Sequence, residues 1–187
     1  MLYDLAVEGK FRPFNETDKA DFLQKVDLNE LVEGEKLKKE RPLLLITSTS
    51  YTPDEDLGLL VQALRLYDEN SNLQLPEIIL VVTGAGPLKK QFLAEFAEFN
   101  KEAKRVRIEA KWLEIDDYPK MVASADLGIC MHLSSSGLDL PMKVVDLFSC
   151  QVPVLAYRYP AITELVKPAQ GNNFGKNDMV GLNGALF

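Results

Sequence analysis

Beyond residue 42 the chain alternates short apolar runs with longer amphipathic stretches. Ile78, Ile79, Leu80, Val81 and Val82 follow one another without a polar residue, and a run of that length with no polar face belongs to a strand covered on both sides. The same reading places strands at residues 43–47, 77–83, 105–109, 125–131 and 152–156. Between them, apolar residues recurring every three or four positions predict helices at 54–67, 88–103, 116–124, 141–150 and 161–166. Regular alternation of this kind implies an α/β fold: a Rossmann-like parallel sheet with helices on both faces. Residues 1–42 differ, being charged and carrying one weak amphipathic helix at 17–31, capped by Thr17 or Asp18. They read as a lead-in or connector, with the regular domain starting at residue 43.

Composition narrows the classes. The 187 residues, 47% of them hydrophobic, suffice for one substantial core. A formal charge of −7 argues against nucleic acid as a partner. The two cysteines, Cys130 and Cys150, have no disulfide or metal-ligand spacing, and His132 is the one histidine, so no bound metal or other cofactor is expected. The start of the chain lacks the basic and apolar regions of a signal peptide, and its apolar runs are strand-sized, so the chain is expected to be soluble.

In open parallel sheets ligands sit outside the carboxyl ends of the strands, which directs attention to the loops that follow them. The first, from Ser48 to Asp54, is rich in hydroxyls, Ser50 among them, and ends in a candidate helix cap at Asp54. The second holds Gly84 and Gly86, the third Trp112, and the fourth runs from His132 through Ser134, Ser135, Ser136 and Gly137 to Asp139. Pro141 then suits the first residue of a helix. The unpaired N–H groups and positive dipole of that helix favour an anion. Lys143 stands in its first turn, where a cation opposes the dipole, and so suits a ligand phosphate. Asp146 follows on the same face, within reach of a hydroxyl such as that of a ribose. From the residues alone, bland readings stay open: a solvated Lys143 and Asp146, a simple turn at Gly84 and Gly86, a core Trp112, and a satisfied strand-end His132. The third glycine of the dinucleotide fingerprint is missing, and Thr83 stands where an acidic residue would close the second strand, which argues against a dinucleotide.

The segment from Ser134 to Asp146, with Trp112-Leu113-Glu114 upstream and the stretch from Thr47 to Asp56 near the start, resembles the GT-B glycosyltransferases, and among them the β-mannosyltransferases of the dolichol pathway. Asp146 followed by a small-residue turn and Pro153-Val154 is similar to their donor-site helix. The resemblance spans about residues 2–166. It implies that the chain is the C-terminal, donor-binding half of an enzyme that transfers mannose from GDP-mannose to dolichol-linked chitobiose at the cytosolic face of the endoplasmic reticulum, in N-glycan precursor synthesis. The acceptor would be held by an N-terminal domain outside this chain. Residues 43–170 would be the nucleotide-sugar-binding domain and 171–187 a tail diverging from the family pattern.

The resemblance further implies that protein dipoles and basic side chains, rather than a metal, hold the diphosphate. Lys143 would pair with that diphosphate, Asp146 with the ribose, and residues 134–137 with phosphate or sugar oxygens. Asp139 lies near the family's acidic sugar contact, although Leu138 occupies the corresponding spacing. No residue is assigned as catalytic base. The chain alone is expected to be inactive, since transfer takes place in a cleft between two domains. The alternative reading is a non-catalytic truncated paralogue or interaction module that keeps the fold and associates with full-length glycosyltransferases.

Overall fold

The computed structural model describes residues 9–70, 74–134, 136–167 and 183–187. Helix α1 (Glu16–Lys25) begins at Asn15, whose side chain accepts the Asp18 N–H at 2.8 Å. The cap is thus Asn15, ahead of the expected Thr17 or Asp18. The helix also stops short of residue 31, because Asp27 turns into the left-handed region (φ 59°) and a 3-10 turn at Asn29–Leu31 follows. Strands β1 (Val32–Glu33) and β2 (Lys36–Leu37) then form a small antiparallel hairpin.

The main sheet holds β3 (Leu43–Thr49), β4 (Ile78–Gly84), β5 (Val106–Lys111), β6 (Leu127–Cys130), β7 (Val154–Ala156) and β8 (Gly184–Leu186). All neighbours are parallel, in the order β5-β4-β3-β6-β7-β8. Helices α2 (Leu57–Glu69), α3 (Lys89–Glu102), α4 (Tyr118–Ser124) and α5 (Met142–Ser149) connect them, and Ala161–Glu164 is a 3-10 turn. The chain winds outward from β3 to β5, then returns to lay β6 on the other side of β3. That reversal opens a crevice above the carboxyl ends of β3 and β6, the position at which doubly wound sheets take their ligands.

Each face of the sheet has its own core. Leu45, Leu80 and Val82 meet α2 and α3 through Leu60, Leu64, Phe92 and Phe96, whereas Leu44, Ile46 and Val81 face the side of α1, α4 and α5. Alternation along each strand sends neighbouring residues to opposite cores. The stretch read as a lead-in supplies Ala20, Phe22, Leu23 and Leu31 to the second of these clusters. Burying Phe22 and Leu23 contributes about 2 kcal/mol each. Arg41 closes the other end of the sheet with a fork to Asp126 (2.6 and 2.7 Å), while Asp126 also accepts the Leu44 N–H at 2.8 Å. Among the described residues no helix is long and apolar enough to cross a membrane.

Candidate functional site

The crevice is built first from the end of β3. The Thr49 hydroxyl donates to Glu55 at 2.5 Å and accepts the Tyr51 N–H at 2.9 Å, while Glu55 also accepts the Ser50 N–H at 2.7 Å and the Ser50 hydroxyl at 3.2 Å. These bonds hold Tyr51 in the left-handed region (φ 49°), bending the chain back toward α2. The helix cap is Asp56, whose carboxylate accepts the Leu59 N–H at 2.9 Å, instead of the expected Asp54. Two residues earlier, Asp54 lies outside the turn that leaves free N–H groups.

Helix α5 brings Lys143 to the same place. Pro141 is extended (ψ 120°) and caps the helix rather than starting it. The Lys143 ammonium donates to the Ser48 carbonyl at 2.8 Å and to the Glu55 carboxylate. Burial pushes the Glu55 carboxyl up, but the charge and hydrogen bond of Lys143, with the donors of Thr49 and Ser50, outweigh burial and hold it below the usual range.

Between the carboxyl ends of β3, β4 and β5 and the start of α4 lies a cavity of about 520 Å³. Ser50, Gly84, Trp112 and Lys143 line it together with Ser48, Thr49, Thr83, Ala85, Leu113 and Tyr118. This volume suits a small-molecule ligand. Trp112 is 66% exposed and no core residue. The Lys89 ammonium stands 5.5 Å from its ring centroid and donates to the Gly84 carbonyl at 2.8 Å. Gly84 (φ 128°), at the end of β4, and Gly86, in the loop after it, let this segment approach the backbone of Thr49 and Ser50.

The loop after β6 forms a second group. His132 Nε2 lies 2.5 Å from Asp139 and Nδ1 lies 3.6 Å from Asp54. Asp139 also accepts the hydroxyls of Ser134 and Ser136, the latter at 3.1 Å, and Ser134 accepts the Gly137 N–H at 2.7 Å. Ser134, then His132, hold the Asp139 carboxyl down at about 2. The Tyr159 hydroxyl donates to the Asp139 carbonyl at 3.0 Å. Asp139 is therefore committed to its own loop. None of these residues lines the cavity, and Ser135 lies outside the described residues.

Asp146 is partly buried one turn along α5 from Lys143, and among the described residues no donor reaches its carboxylate. Burial alone pushes it up to about 6. Beside it, the Tyr118 phenol is pushed up to about 12, chiefly by burial, with a smaller contribution from the Asp146 charge; its hydroxyl donates to Ser48 at 3.2 Å. Among the described residues no group of three or more His, Cys, Asp or Glu side chains could hold a metal ion.

Glu55, Tyr118 and Lys89 also belong to the site, and their sequence context does not mark them as such. Glu55 sits in an Asp54-Glu55-Asp56 run that reads as a helix start, and Lys89 beside Lys90 reads as a solvated face. Their spacing carries no sign of contacts reaching to α5, β3 or Trp112.

The model of the family described as Glycosyl transferases group 1 matches residues 41–181. The chain is 47% identical over 158 residues to the chitobiosyldiphosphodolichol beta-mannosyltransferase of Candida albicans, covering 84% of this chain and 32% of that protein. It is 42% identical over 159 residues to the UDP-glycosyltransferase TURAN of Arabidopsis thaliana, covering 77% and 32%. The chain thus spans about a third of the length of these relatives. Among solved structures, the C-terminal domain of a glycosyl transferase group 1 family protein from Francisella tularensis aligns with a TM-score of 0.58 at 13% identity, over 95% of this chain and 76% of that one. A parallel α/β sheet wound about its switch point, and a family match across most of its length, lead to one assignment: the chain belongs to the glycosyl transferases group 1 family, with the GT-B fold.

Proposed function

We propose that the chain is the donor-binding half of a β-1,4-mannosyltransferase that takes mannose from GDP-mannose and passes it to dolichol-linked chitobiose at the endoplasmic reticulum membrane. The observation that carries this reading is the convergence of Lys143, the Ser48–Ser50 edge and Trp112 on one cavity at the carboxyl edge of the sheet, beside its switch point. The similarity to the Candida albicans enzyme supports the choice of sugar and acceptor.

In this reading Trp112 forms a shelf for the guanine and Asp146 accepts from a ribose hydroxyl. Two of the three N–H groups of Lys143 are taken by Ser48 and Glu55, and the third meets the diphosphate. As the bond to mannose breaks, negative charge grows on the leaving GDP. Lys143 and the first turn of α5 are already aimed at that charge, which lowers the barrier without reorganisation. Ser134, Ser136 and Gly137 would reach the sugar only by exchanging their present bonds to Asp139 and Ser134 for bonds to the ligand. The acceptor is held by a second domain, so transfer needs more than these residues.

Titrating Lys143→Ala with GDP tests the assignment. A loss of affinity of about a hundredfold is expected for a charge-assisted contact. Unchanged affinity in a folded variant rejects Lys143 as the diphosphate ligand.

A further inference from the structure

Glu55 is 5% exposed, lies directly behind the cavity wall, and is not itself among the lining residues. Its two oxygens divide the work. Oε2 gathers the Thr49 hydroxyl, the Ser50 N–H and the Ser50 hydroxyl, while Oε1 receives Lys143. Every one of these four donors belongs to a residue that lines the cavity. The backbone of Glu55 also bridges to His132, so the loops after β3 and β6 meet at this residue.

A buried carboxylate survives only where donors compensate it. Here the compensation is supplied from two separate elements, the β3 edge and the first turn of α5. A single carboxylate thereby fixes the distance between a hydroxyl-and-amide edge and an ammonium across the mouth of the switch-point crevice.

We propose that Glu55 is the positioning residue of the phosphate-binding edge: it acts through Lys143 and Ser50, fixing the ammonium and the loop of β3 as one preorganised receptor for a nucleoside diphosphate. The inference rests on the donor-binding reading above. Glu55 touches no ligand in this arrangement; its contribution is the ordering of groups that do.

The test is a double-mutant cycle for GDP binding to the full 187-residue chain, read by calorimetry. Glu55→Gln keeps the shape and removes the charge. Alone it is expected to weaken GDP about tenfold, because Lys143 and the Ser50 edge lose their common anchor. In a Lys143→Met background, where Glu55 has nothing left to position on α5, the same change is expected to cost about twofold or less. A merely structural role would give equal losses in both backgrounds and overturns the inference. Tighter GDP binding by Glu55→Gln also overturns it, since the carboxylate would then be competing with the ligand for Lys143. If Glu55→Gln does not fold, Glu55→Asp, which keeps the charge and shortens the reach, carries the same cycle with the same criteria. Wild-type chain that binds no nucleoside diphosphate rejects the donor-binding reading and this inference with it; wild-type binding without coupling rejects the inference alone.

Discussion

A Cβ on Gly86 would stand 1.6 Å from the carbonyl oxygen of Ser50, and one on Gly84 would stand 1.9 Å from that of Thr49. The end of β4 and the loop after it are pressed against the backbone that forms the β3 side of the cavity. Both obstacles are main-chain atoms, which cannot swing aside as a flexible side chain can. Gly86→Ala is therefore expected to lower the unfolding free energy by about 2–3 kcal/mol in a urea titration. A midpoint within error of wild type would show that the two loops do not meet this closely.

Asp146 carries a pH signature. Its carboxyl sits at about 6 in the folded chain, raised by burial from 3.8. The folded state thus holds the proton more tightly than the unfolded one. The stability associated with that proton is complete below about pH 4 and is lost as pH rises through about 6. Asp146→Asn should accordingly be more stable than wild type at pH 8, by about 1 kcal/mol once solvent screening of a half-buried group is allowed for, and equal to it at pH 4. Urea midpoints at the two pH values check this. If Asp146 holds the ribose as proposed, the same variant keeps an acceptor oxygen but loses its charge, and a nucleotide is expected to bind more weakly.

Tyr51 is fully buried, and among the described residues its hydroxyl has no hydrogen-bond partner. Burial of an unsatisfied hydroxyl costs about 1–3 kcal/mol. Tyr51→Phe removes that cost while keeping the ring against Phe92, 6.2 Å away between centroids. The variant is expected to unfold at higher urea concentration, by about 1 kcal/mol in free energy. A loss of stability would mean that the hydroxyl is satisfied.

Trp112 is the one tryptophan of the chain, so its fluorescence reports on the cavity it lines. GDP stacked on the indole should quench that emission with the same midpoint that calorimetry gives. Trp112→Ala should weaken GDP about tenfold, as expected when a base loses an aromatic shelf. Quenching that fails to saturate with binding would place the base elsewhere.

Sheet and helix order were legible because periodicity survives averaging: apolar runs such as Ile78 to Val82 and the alternation of strand and helix patterns marked β3 to β7, and the loops after them could be placed on one edge of the sheet. The limits have physical causes. β8 is only Gly184–Leu186, with no β-branched residue to signal a strand. Helix caps shifted at Asn15 and Asp56 because several capping residues lie side by side and only the fold selects among them. In the site, Lys143 was visible as a cation opposed to its own helix dipole, whereas its counter-ion Glu55 was not. Eighty-eight positions separate the two, and their contact arises only when β6 returns beside β3.

Whether the cavity takes a guanine nucleotide donor is decided by isothermal titration of the folded chain with GDP, GDP-mannose and UDP. Saturable binding of GDP and GDP-mannose is expected, with UDP weaker by about tenfold or more. A folded chain that binds none of the three, or that prefers UDP, would contradict the guanine-donor reading.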